Sequence, residues 1–245
     1  MSEISTSRGG KLPWRQIWRQ YFDFLRRPEL PPRPEPFGPN AVREIVALFA
    51  LDAAAMSLFV LIAARAIAFG VYSPHNKLED LPNGPWLIAL MVVFAPLIEE
   101  SLFRGWLSGT RRALAVFGTP TFAILVALLA RWLTGPLSVA AILLLVGAAI
   151  AGVIYGIVTG EAKSVPPQYR ALFPAAFWLS AGVFAALHLS NYTGHMGTFA
   201  LLWVVPQFVG ATFFGYTRVR FGMWANISLH AAHNGFAALM MLLGS

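Results

Sequence analysis

Two adjacent glutamates, Glu99 and Glu100, stand inside an otherwise apolar stretch, and Arg104 follows four positions after the second. Ionisable groups placed in such a stretch are costly to bury and mark a functional site by default. The helical pattern runs on to Arg111, which at a rise of about 1.5 Å per residue puts both carboxylates roughly 18 Å from that end. Glu100 and Arg104 share one helix face and can pair, whereas Glu99 points about 100° away and lacks that partner. Neighbouring carboxylates repel in a low dielectric, so their surroundings must divide them into one that carries charge and one poised to take a proton. A carboxyl group so poised is what general-base chemistry requires. Two further stretches supply complementary groups. Phe184 and His188 lie one turn apart, and Asn226, His230 and Asn234 form a polar stripe of four-residue steps, with His233 and Asn191 nearby. His188 falls roughly 20 Å from Pro174 along its helix, and His230 and Asn234 about 10–17 Å from Met223, so all three stretches offer their polar groups at similar depth. Taken singly, a membrane histidine is a packing residue, a Glu–Arg pair is structural and an asparagine is interhelical glue. Together they are one another's best partners, and a shared functional cluster is the better reading.

The elements that must carry these residues are membrane helices. Of the 245 residues 57% are apolar and 12% charged, and apolar runs recur at the length of roughly 20 residues that a bilayer crossing needs. The pattern predicts an all-α, polytopic transmembrane bundle with seven spans, at about 44–69, 86–112, 119–134, 137–160, 171–190, 198–217 and 223–243. With the N-terminus in the cytoplasm, fifteen of the eighteen lysines and arginines fall on the cytoplasmic side, Arg104 and Arg218 among them. Arg65, Lys77 and Arg131 fall toward the other, and that asymmetry sets the orientation. The third span is short, and is expected either to tilt little or to form a hairpin with the fourth. The net charge of +7 is explained by this topology and not by nucleic acid. The absence of cysteine excludes disulfides and thiolate metal sites.

Residues 1–40 form a separate polar section. Trp14, Ile17, Trp18, Tyr21, Phe22 and Leu25 make one apolar helical face opposite arginines, the pattern of an amphipathic helix lying in the membrane interface. Docking on the protein's own loops is the plainer alternative. Pro28 to Pro39 reads as a stiff polyproline-like linker, and no apolar stretch of signal-peptide type precedes Ala41. In the fourth span Ala148, Gly152, Gly156 and Gly160 recur every four residues, which permits close helix approach. Internal packing is expected over a dimer seam, and the oligomeric state is left open.

The strings EESLFR (Glu99–Arg104), FAALH (Phe184–His188) and HAAHN (His230–Asn234) resemble, in order, the motifs of the CAAX-protease and bacteriocin-processing family of intramembrane glutamate-type endopeptidases. The resemblance covers about residues 86–244, a protease core within a bundle of residues 41–245. The separation of Glu100 and His188 exceeds the family's usual spacing by about the length of 119–160, which reads as a two-span insertion in a divergent prokaryotic member of an inner (cell) membrane. The resemblance implies Glu99 as general base, His188 as the group that holds the water, and His230 and Asn234 as oxyanion donors. Glu100, Arg104 and Phe184 would support them, and no cofactor would be needed. The substrate would be a membrane-associated protein or peptide. Alternatives built on the same residue types are a zinc enzyme using Glu99, His188 and His230, a transporter or proton relay, and a non-proteolytic scaffold or immunity protein. The zinc spacing HExxH is missing, and no motif repeats in two halves as inverted-repeat transporters would have it.

Overall fold

The computed structural model describes residues 12–71, 73–82, 84–159, 164–194 and 197–244. It is a helical bundle. Helix α1 (Trp14–Arg26) precedes seven long helices: α2 (Pro39–Ala68), α3 (Pro85–Ser108), α4 (Arg111–Thr134), α5 (Val139–Val158), α6 (Pro167–Leu187), α7 (Val205–Phe221) and α8 (Met223–Gly244). A 3-10 turn, His188–Asn191, ends α6, and a second, Gly197–Val204, leads into α7. The sheet among the described residues is two residues wide: β1 (His75–Asn76) pairs antiparallel with β2 (Tyr192–Thr193). Six helices, α2 to α7 with the turns that extend them, are long and apolar enough to cross a membrane. Helix α8 is comparable in length and carries the polar stripe.

Several expected boundaries move, each for a local reason. The second span ends at Ser108 and not at 112, because Gly109 turns the chain at φ +67° and Thr110 caps the next helix by accepting from the Ala113 N–H at 3.2 Å. Only glycine takes that left-handed conformation without strain. The third span therefore starts at Arg111, eight residues before the expected 119, and is no longer short. Pro120 does not open it. A π-helical turn at Leu114–Gly118 precedes Thr119 and Pro120, and the helix continues through them. The first and fifth spans, α2 and α6, start earlier than expected, at Pro39 and Pro167, where a proline suits the first helical turn.

Helix α7 is the hub. From Gly210 to Phe221 all its residues but Arg220 are buried, against α2, α6, α8 and α1. Helix α5 lies at the other extreme, with Gly156 as its buried residue. Two members of the stripe of small residues pack inward, as expected: a side chain at Gly152 would meet Thr119, and one at Gly156 would meet Ala115 and Val116, all on α4, whereas Ala148 is exposed. Gly160 lies outside the described residues. On α1, Ile17 and Tyr21 are buried among Ala47, Leu48, Phe213 and Tyr216, and the Trp18 Nε1–H donates to the Ala47 carbonyl at 2.7 Å. The centre of the face expected to meet the membrane is thus occupied by the protein's own helices, while Trp14 and Phe22 at its edges stay exposed. The proline-rich linker is tied down as well, with the Glu35 N–H donating to the Arg220 carbonyl at 2.6 Å and Arg220 bridging Glu35 and Glu44.

Candidate active site

Helix α3 is shaped to present its glutamates. It runs α-helical over Pro85–Ala89, π-helical over Leu90–Phe94, and α-helical again over Ala95–Arg104. The π turn inserts one residue into the helical repeat, which rotates everything after it, a device that recurs at functional sites. Pro96, which has no N–H to continue the ladder, follows immediately. Both ends of the glutamate segment are held from outside. The Asn234 amide Nδ2–H donates to the Met91 carbonyl in the π turn at 2.7 Å. At the other end Arg218 Nε and Nη2 donate to the carbonyls of Arg104 and Gly105, each at 2.9 Å, so orphan carbonyls at a helix end find a buried partner.

The two glutamates then part company. Glu100 is fully buried and accepts from three side chains: Arg104 Nη1 at 2.9 Å and His230 Nδ1 at 2.7 Å on Oε1, and Asn226 Nδ2 at 2.5 Å on Oε2. Such charge-assisted contacts make it a structural anion. Glu99 has a side chain 28% exposed, and among the described residues it accepts no hydrogen bond. Its Oε2 lies 3.7 Å from His230 Nε2, too far for a direct hydrogen bond. His230 therefore joins the pair, with Nδ1–H committed to Glu100 and Nε2 turned toward Glu99.

Aromatic rings enclose this centre. Phe214 stacks on His230 at 4.3 Å and 15°. The Arg104 guanidinium lies 4.0 Å over the ring of Phe184, a cation–π contact strengthened by desolvation. Phe184 is also 4.5 Å from the His188 ring and 5.9 Å from that of His230. His188 sits where α6 gives way to the 3-10 turn, and its Nδ1 bonds the Phe184 carbonyl at 2.7 Å. A carbonyl only accepts, so Nδ1 carries the proton and Nε2 keeps a free lone pair.

The structure therefore brings Glu99, Glu100, Arg104, His230 and Phe184 together, with His188 against the Phe184 ring. The Asn234 side chain contacts the glutamate helix at the Met91 carbonyl. Among the described residues no three His, Cys, Asp or Glu side chains are arranged to hold a metal ion, the set of Glu99, His188 and His230 included. Three contributors escaped the sequence reading of the site. Asn226 was visible as part of the stripe but without a role. Arg218, counted among cytoplasmic positives, is buried. Asp52 of α2, fully buried, accepts from His233 Nδ1 at 2.8 Å, and its signal was a lone acid within the first apolar run.

A family model described as type II CAAX prenyl endopeptidase Rce1-like matches residues 81–169 and 166–236. Searches of curated proteins and of solved structures find no match. The matched residues contain all three motifs and leave α1 and α2 outside.

Proposed function

The chain belongs to the Rce1-like type II CAAX prenyl endopeptidases, and from that premise we propose that it cleaves its substrate with a water activated by Glu99. It is a multi-pass membrane protein and a CAAX-type intramembrane endopeptidase, hence a hydrolase. The observation that carries the finer reading is the division between the glutamates. Glu100 is saturated by Arg104, His230 and Asn226, and Glu99 keeps both oxygens free beside an imidazole.

In this mechanism water donates one proton to Glu99 and the other hydrogen bond to His188 Nε2. As the oxygen attacks the peptide carbonyl, Glu99 takes the proton and later delivers it to the leaving amine, which is general acid–base catalysis by one group. The second N–H of the Asn234 amide is available to the developing oxyanion, and His230 donates through Nε2 when it carries a second proton. Glu100 and Arg104 hold His230 and the helix in place. No metal is assigned a step. The substrate is a membrane-associated protein or peptide.

Glu99→Gln keeps shape and removes the base. Cleavage of a membrane-anchored peptide in liposomes should fall by about 10²-fold or more, with thermal stability close to wild type. Near wild-type cleavage would move the base to Glu100. We also place the N-terminus in the cytoplasm with seven crossings, in an inner (cell) membrane. Reporter fusions after Ser164 and at the C-terminus should then report opposite sides, and the same side for both would remove a crossing.

A further inference from the structure

We propose that Asp52 is a positioning residue for the endopeptidase, acting through His233 and the ring of Phe214 to set the plane of the His230 imidazole. The inference rests on the endopeptidase reading above and adds a carboxylate from a helix that the family match does not reach.

Asp52 lies near the middle of α2 and is fully buried. Its Oδ2 accepts from His233 Nδ1 at 2.8 Å across 181 residues of chain, while its Oδ1 has no partner among the described residues. His233 is seated in a notch on α7, where a side chain at Gly210 would come within 3.0 Å of its Cε1. The ring of Phe214, one turn on from Gly210, touches both imidazoles, and the three rings form a triangle. Phe214 meets His233 edge-on at 5.3 Å and 88°, and lies flat against His230 at 4.3 Å and 15°. The imidazoles are themselves 6.3 Å apart.

His230 is fixed at Nδ1 by Glu100, but one hydrogen bond leaves the ring free to tilt about it. The tilt decides whether Nε2 points at Glu99, 3.7 Å away. Phe214 removes that freedom only if it is itself held, and His233, set against its rim, is the support. Asp52 orients His233 by accepting its Nδ1–H. Catalytic geometry tolerates little looseness in such a supporting layer.

The test separates positioning from mere packing. Asp52→Leu leaves His233 a buried, unpaired donor, so stability and kcat should both fall. Asp52→Leu with His233→Leu removes both polar groups, and replacing both partners of a buried pair is close to neutral for folding. Its thermal stability should recover, yet kcat should stay about 10-fold or more below wild type, with KM little changed. Asp52→Asn keeps an acceptor oxygen and should retain several-fold more kcat than Asp52→Leu. Recovery of kcat together with stability in the double variant overturns the proposal. Should the double variant not fold, Phe214→Leu with and without Asp52→Ala decides. If Asp52 acts through Phe214 the added change lowers kcat no further, and an additive loss overturns the proposal. The same assay run on wild type and Glu99→Gln keeps the readings apart. An active Glu99→Gln sinks the choice of base and leaves the Asp52 comparison standing, whereas an inactive wild type sinks the endopeptidase reading and the proposal with it.

Discussion

Helices α5 and α7 invert the rule that governs soluble proteins. Helix α5 is the most apolar of the six candidate spans and the least buried, while α7 is the least apolar and the most buried. The hairpin of α4 and α5 exposes Leu143, Leu144 and Val158, as a surface meant for lipid does. Helix α7 turns Thr212, Thr217 and Arg218 inward, where each has a partner: Tyr21 for Thr212, the Phe213 carbonyl for Thr217, and the α3 carbonyls for Arg218. In a bilayer, leaving solvent gives an apolar side chain no advantage. Burial goes instead to groups that gain from one another, through close packing and hydrogen bonds. The polar half of the molecule is therefore the half that can build a site.

This contrast can be broken from either side. The largest effect is expected from Arg104→Ala, which leaves Glu100 buried beside His230 and Asn226 without its guanidinium. Breaking such a pair costs about 3–5 kcal/mol, to be read as a lower yield of folded protein and a lower Tm in detergent. Glu100→Gln with Arg104→Gln should recover yield while cleavage stays low. If Arg104→Ala were as stable as wild type, the pair would not hold the core.

Next is a charge on the lipid side. Ala151 of α5 is exposed, and Ala151→Arg would be harmless in water. Facing hydrocarbon near the middle of a span it should cost about 2.5–3.5 kcal/mol of insertion, measurable as the inserted fraction. Full insertion would mean that α5 faces water or another protein.

The smallest effect comes from a matched pair of glycines. A side chain at Gly215 of α7 would come within 2.7 Å of the buried ring of Phe177, whereas at Gly147 of α5 it meets nothing within 4 Å. Gly215→Ala should lower stability by about 1–3 kcal/mol. Gly147→Ala should leave it unchanged or raise it by up to about 1 kcal/mol. Thermal melts of the two variants side by side decide, and equal losses would erase the distinction between hub and periphery.

What could be read from the chain alone was what depends on neighbours in sequence. The pairing of Glu100 with Arg104 follows from their four-residue spacing on one helix turn, and so does the divergence of Glu99. The inward packing of Gly152 and Gly156 follows from the same periodicity, and the helical class follows from the length of the apolar runs. Even the join of the second and third spans had a local signal in Gly109 and Thr110, overlooked because Thr119 and Pro120 resemble a helix start more strongly.

Tertiary structure decided which polar group meets which. Arg218 looks like any loop-flanking arginine until α3 ends against it, and Asp52 becomes a site residue only when α8 brings His233 to it. His230 could be placed on a stripe, but its bond to Glu100 needed the register of two helices 130 residues apart. The π turn at Leu90–Phe94 is of the same kind, since its carbonyl is satisfied by Asn234 from another helix. Helical backbone bonds close within a few residues and leave their mark on composition and period. A hydrogen bond between side chains of distant helices leaves none, because in a low dielectric any donor will serve any acceptor that packing places within reach.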